Sequence, residues 1–274
     1  MSNTDVDNPD LDDWSVADFT TLRGDSDRSE RGEEIIQGFL RDGEVCLLVA
    51  ASKDGKSWMA GQLAWCIATG TPFLGLNVKQ GSVLLVDNEL KQREIDFRHS
   101  QIAKALQHHP KAGEVTVVCR RGRSSDVMLL ASKIKKMDLS GYSLIVIDAL
   151  YKIIPEGRSE NDNEGMGKLM NVLQNIADET AVPILIVHHT TKGDQSAKST
   201  LDLAAGAGSF GRSLDAMIAI RDHETEGHNV CEFKARTNKP MAPLSVKFEW
   251  PLWYATTLSP EIRKSGGSAE LQRK

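Results

Sequence analysis

The chain has 274 residues, 40% of them hydrophobic and 26% charged, with a net charge of −5. This is ordinary usage for a folded water-soluble domain, and no window nears the roughly 18 uninterrupted apolar residues of a membrane span, which argues against a membrane partner. The start is Asp-rich and has no basic region followed by an apolar one, so no secretory leader is expected and the cytoplasm is the default location.

Residues 1–30 carry nine acids and two bases, leaving 29 acids and 31 bases for the rest. Only the head is acidic, and the overall sign does not exclude a nucleic-acid partner for the body. We expect residues 1–31 to be a largely flexible acidic segment, with Trp14, Val16 and Phe19 able to dock a short piece. Residues 259–274 are expected to be a flexible tail, leaving one domain over 32–258. Cys46, Cys66, Cys119 and Cys231 lie far apart without a CxxC pair, which points to buried thiols.

From residue 44 short apolar runs alternate with longer segments of helical spacing. The runs are "EVCLLVA" (44–50), "SVLLVD" (82–87), "VTVVC" (115–119), "SLIVID" (143–148) and "PILIVH" (183–188). Each has Val, Ile and Leu on successive positions, as in strands covered on both faces. Helices are expected over 56–69, 91–107, 125–137 and 164–180. The alternation predicts an α/β fold with a mostly parallel central sheet flanked by helices. After residue 205, "LDAMIAIRD", "NVCEFKARTN" and "LSVKFEW" predict an antiparallel C-terminal meander of three strands.

The first strand runs into Ala50-Ala51-Ser52-Lys53-Asp54-Gly55-Lys56-Ser57, followed by Trp58 and an amphipathic helix. The phosphate-binding loop G-x-x-x-x-G-K-[ST] wraps phosphates with backbone N–H groups at a helix N-terminus, sets Lys on the β- and γ-phosphates and gives Mg²⁺ a hydroxyl. Here the second glycine, the lysine and the serine are present, and Ala50 replaces the first glycine. That replacement matters only if position 50 needs a positive φ. Ser52 to Trp58 are the expected nucleotide-binding residues. Asp54 is an awkward neighbour for phosphates unless it faces solvent or pairs with Lys53.

Hydrolysis needs acids at other strand ends. Asp148 ends "SLIVID", where a carboxylate can hold Mg²⁺ through water. The plainer reading is a helix-cap aspartate. Asp87 and Glu89 follow "SVLLV", and one of them can face the γ-phosphate. Glu89 is the preferred general base, the alternative being that it only opens the next helix. His188 and His189 end "PILIV" and face opposite sides of their strand. His189 is the expected γ-phosphate sensor, and zinc is disfavoured because no third ligand stands at short spacing.

"AASKDGKSW", "VLLVDNEL", "LIVIDAL" and "IVHHTTKG", followed by "AAGAGSFGRSLDA" and "KARTNKP", resemble in order the motifs of RecA-like P-loop ATPases, within them the RepA type of hexameric plasmid-replication helicase. The resemblance spans residues 44 to about 240. It implies that Lys56 and Ser57 contact phosphate and Mg²⁺, that Glu89 is the base, that Asp148 is the metal-side aspartate and that His189 is the sensor. It also implies an ATP- and Mg²⁺-dependent homo-oligomer, a hexamer in the RepA type, with active sites between subunits. Lys234, Arg236 and Arg212 then become candidate fingers from the neighbour. Family members often open the last segment with an Arg-Gly-Ser-like sequence, where this chain has Ala205-Gly206-Ala207. The plainer reading of the three bases is a set of surface charges.

Loops 151–165 and 190–206 correspond in such rings to channel-facing segments. The second is rich in Gly, Ser and Thr with Lys192 and Lys198, which suits backbone tracking, but neither has an aromatic series for stacking bases. Single-stranded DNA is therefore implied mainly by the resemblance. A ring-forming DNA-dependent ATPase or helicase of a mobile element is the first expectation. A regulatory or assembly ATPase without translocation is the second, and a small-molecule kinase a distant third.

Overall fold

Strands β3 (Val45–Ala50), β4 (Ser82–Asp87), β6 (Tyr142–Asp148) and β7 (Ile184–His189) form the middle of a nine-stranded sheet. The computed structural model describes residues 31–50, 55–123, 126–154, 162–189 and 213–263, without the His189 side chain. The acidic head to residue 30, loop residues 51–54, 124–125, 155–161 and 190–212, and the tail from 264 lie outside that description.

Sheet order is β11-β10-β9-β8-β3-β7-β6-β4-β5, with β5 at Val115–Cys119 and β8 at Ala216–Asp222. The six strands from β8 to β5 are parallel; β9 (Asn229–Ala235), β10 (Leu244–Glu249) and β11 (Leu252–Ala255) continue antiparallel. The expected mostly parallel core with an antiparallel C-terminal extension is the observed architecture. The extension beyond β8 has a third strand, β11, where the sequence suggested an end. Pro251 interrupts the apolar pattern there, and Trp250–Pro251 is a cis peptide.

Alternation explains why helices cover both faces. Val45, Leu47, Val49, Ile145, Ile147, Ile184 and Ile186 face helices α3 (Val127–Ile134) and α4 (Asn163–Thr180). Cys46, Leu48, Leu144, Val146, Leu185 and Val187 face helix α1 (Lys56–Thr69). Helix α2 (Gln92–Ala105) packs outside α1 through Ile102 and Ala103 against Trp65 and Ala68.

Consequently α1 is not amphipathic, as its sequence suggested, but buried over most of its surface. Gly61 sits at the α1–α2 crossing, where a Cβ would stand 2.8 Å from Ile102 Cδ1. On a further side Gln62 makes a reciprocal amide pair with β11: its Nε2 donates to Trp253 O at 2.9 Å and its Oε1 accepts from Trp253 N at 2.7 Å.

A hairpin absent from the sequence expectation, β1 (Glu34–Ile36) with β2 (Leu40–Arg41), precedes the sheet. It inserts Phe39 edge-on against Phe233 of β9, ring centroids 5.1 Å apart. All four cysteines are free thiols, Cys46, Cys66 and Cys231 buried, and burial pushes the Cys66 thiol up to about 12.

Candidate functional site

Parallel register brings the carboxyl ends of the strands into one line. Ala50 of β3 lies opposite His189 of β7, and Asp87 of β4 lies between Asp148 of β6 and Cys119 of β5. A doubly wound sheet takes its ligand at this edge, and α1 starts there.

Ala50 is ordinary extended strand, and it is absent from the positive-φ positions among the described residues. A Cβ is therefore tolerated where the loop motif has its first glycine. Gly55 is the demanding position: as N-cap of α1 it has φ 73°, and a Cβ would meet the Trp253 ring at 3.1 Å. Trp253 Nε1 donates to Gly55 O at 3.3 Å, fixing the turn from the far strand.

The first turn of α1 contains no acid, so its N-terminal dipole and end N–H groups suit an anion. Lys56 is 3% exposed and donates from Nζ to Ala50 O at 2.9 Å. The ammonium is thus held across the loop that it follows. Ser52, Lys53 and Asp54 fall outside the described residues, and so does the question raised over Asp54.

Asp148 is 5% exposed, and the Ser57 hydroxyl stands close enough to favour its charged form. Burial raises the Asp148 pKa to about 6; the serine hydroxyl opposes this, Asp87 and Glu89 add to it, and Arg98 offsets part. Oxygen Oδ1 of Asp148 is buried and has no hydrogen-bond partner among the described residues. A hydroxyl plus an orphaned carboxylate oxygen is the hard-oxygen donor set of a Mg²⁺ site, so these residues fit that ion.

Asp87 is turned to structural use. Its Oδ1 accepts from Glu89 N and Leu90 N, both at 2.8 Å. Asn88 donates from N and Nδ2 to Asp148 O at 2.7 and 3.2 Å, tying the two strand ends together. Glu89 is half-buried on this turn, and α2 opens later, with Lys91 as N-cap and Glu94 as its first-turn acid. Glu89 therefore stands before the helix, near enough to Asp148 to raise its pKa.

His189 ends β7 beside Ala50, and its side chain lies outside the described set. Lys234 and Arg236 are exposed and lie elsewhere: Arg236 N donates to Asp215 O at 2.7 Å, and Asp215 Oδ2 accepts from Val45 N at the amino end of β3. The length of β3, ~16 Å at strand rise, separates that end from Ala50. Arg236 thus lies at the opposite end of β3 from Ala50, whereas Lys234, paired with Met217 and through it level with Leu47, lies midway. Arg212 lies outside the described residues.

Beside the loop is a group the sequence expectations missed. The guanidinium of Arg98, on α2, lies 5.3 Å from the Trp58 ring centroid. Trp250 meets Trp58 at 5.8 Å and Phe97 at 6.5 Å, and Phe248 meets Trp58 at 6.4 Å. Trp250 and Phe97 remain more than half exposed. The spacing of Arg98 three residues after buried Ile95 was the available sign that this base borders the covered face of α2.

Residues 12–195 match the model of a family described as an AAA domain. Among solved structures, the crystal structure of the RadB recombinase is similar with a TM-score of 0.56 at 15% identity, covering 78% of this chain and 91% of that one. A second solved structure, of an isolated ATPase domain, gives 0.59 at 14% identity, covering 78% of this chain and 85% of the other. A comparison with curated proteins gave no match. The likenesses carry the fold, and it is the RecA-like one expected from the motifs. No helix among the described residues is long and apolar enough to cross a membrane.

Proposed function

We propose that the chain, which belongs to the AAA-domain family, is a ring-forming, DNA-dependent ATPase or helicase that turns ATP and water into ADP and phosphate in the replication or maintenance of a mobile element. The observation that carries the nucleotide chemistry is the Ser57–Asp148 pair beside buried Lys56 at the start of α1. Gly55 and the first turn of α1 hold phosphate oxygens, and Lys56 exchanges Ala50 O for one of them. Ser57 and Asp148 hold Mg²⁺. When bound, the ion neutralises phosphate charge. Glu89 orients and deprotonates the attacking water, and His189 senses the γ-phosphate. The exposed Trp250 ring beside half-buried Trp58, with Arg98 alongside, suits stacking on the base of the nucleotide.

The placement of Arg236 at the far end of β3 supports its role in a neighbour's site, with a homo-hexamer as the assembly, and Lys234 is kept as a candidate finger beside it. Arg212 is kept as the third candidate finger. The similarity to a recombinase structure is consistent with action on DNA. Lys56→Ala should abolish ATP binding, and mixing it with Arg236→Ala subunits should recover hydrolysis. Tight ATP binding by Lys56→Ala would remove the loop assignment, and mixed oligomers without recovery would remove Arg236 as a finger.

A further inference from the structure

A turn of three arginines caps the open edge of the sheet. Among the described residues strand β5 pairs with β4 alone, and beyond its carboxyl end come Arg120, Arg121, Gly122 and Arg123. The turn closes with Arg123 N donating to Arg120 O at 3.0 Å, and Gly122 has φ 73°. Arg121 and Arg123 are exposed, and neither pairs with an acid among the described residues. Across residues 120–137 the chain has six bases and one acid, in a protein whose net charge is −5. This basic turn lies at the same end of the sheet as the nucleotide site.

The turn is also wired to the proposed base. Arg120 N donates to Asp87 O at 2.7 Å, and Cys119 Sγ donates to Leu90 O at 3.3 Å. Asp87 Oδ1 in turn accepts from Glu89 N and Leu90 N. Whatever pulls on the arginine turn therefore pulls on both sides of Glu89.

We propose that the Arg120–Arg123 turn binds the phosphate backbone of single-stranded nucleic acid and reports its occupancy to Glu89 through the hydrogen-bonded end of β4. The exposed guanidiniums of Arg121 and Arg123 match the repeating anions of such a strand, and their fork geometry takes phosphate oxygens in pairs. The inference rests on the DNA-dependent reading above and adds a contact outside loops 151–165 and 190–206.

The test is oligo-dT binding by the full chain across a salt series, together with ATPase rate with and without the oligonucleotide. Arg121→Ala/Arg123→Ala should weaken binding about tenfold or more, flatten the log–log salt slope by roughly 1.4, and lose most of the DNA stimulation. Arg121→Lys/Arg123→Lys should recover much of the affinity. Lys104→Ala/Lys111→Ala, which removes equal charge at exposed sites elsewhere, should match the wild type. Binding, slope and stimulation all unchanged in the double alanine variant, with the wild type responding to oligo-dT, would overturn this inference and leave the ATPase reading standing. A wild type that hydrolyses ATP but neither binds nor answers oligo-dT would overturn both the inference and the DNA-dependent reading.

Discussion

Ala50 decides whether the loop is sound. Reading the loop as a motif made its missing first glycine look like a defect, yet position 50 is plain extended strand and Gly55 has the left-handed backbone. Position in a motif carries no φ, so this could be resolved only in three dimensions. Strand ends were more legible, because apolar runs stop abruptly at Asp87, Asp148 and His189. What the sequence left open between Asp87 and Glu89 is narrowed at Asp87, whose Oδ1 already accepts two backbone hydrogen bonds. Glu89→Gln should then bind ATP with near wild-type affinity and hydrolyse it at least about a hundredfold more slowly; near-normal turnover would remove it as base.

Asp148 adds a pH dependence that has a sign. Its folded pKa of about 6 exceeds the ordinary value of 3.8, so the folded chain binds a proton that the unfolded chain does not between those values. Stability is thus lost as pH rises through that window, and the loss persists above it. Asp148→Asn, without nucleotide or metal, should stabilise the chain at about pH 8 by up to ~3 kcal/mol, with the gain fading toward about pH 4. Urea unfolding at both pH values checks this, and an equal gain at each would contradict it.

The elements followed their periodicity closely where strands are covered on both faces. The hairpin β1–β2 and strand β11 escaped for physical reasons: three- and two-residue strands leave no measurable period, and Pro251 breaks the run before Leu252. Strand β11 proves to be the support of the phosphate loop through Gln62, Trp253 and Gly55. A side chain at Gly55 would combine left-handed strain with a 3.1 Å approach to Trp253. Gly55→Ala should therefore destabilise the chain by roughly 2 kcal/mol or more and weaken ATP binding with it. Unchanged denaturant midpoint and affinity would show that β11 does not constrain the loop. Long-range pairs such as Gln62 with Trp253, 191 residues apart, leave no local mark in sequence.

Across the whole molecule, six parallel strands gather the motif residues at one edge, while Arg236 stands level with the other end of β3 and Lys234 midway along it. Under the proposed function, that division assigns completion of the site to a neighbouring subunit. The order of motifs made the fold legible, whereas the aromatic group at Trp58 and Trp250 and the arginine turn depend on tertiary neighbours and were not. The most direct test is the steady-state ATPase rate of the wild-type chain with and without single-stranded DNA, at concentrations spanning its assembly. The account predicts a rate per chain that climbs as subunits associate and climbs again with DNA. A rate per chain indifferent to both would contradict it.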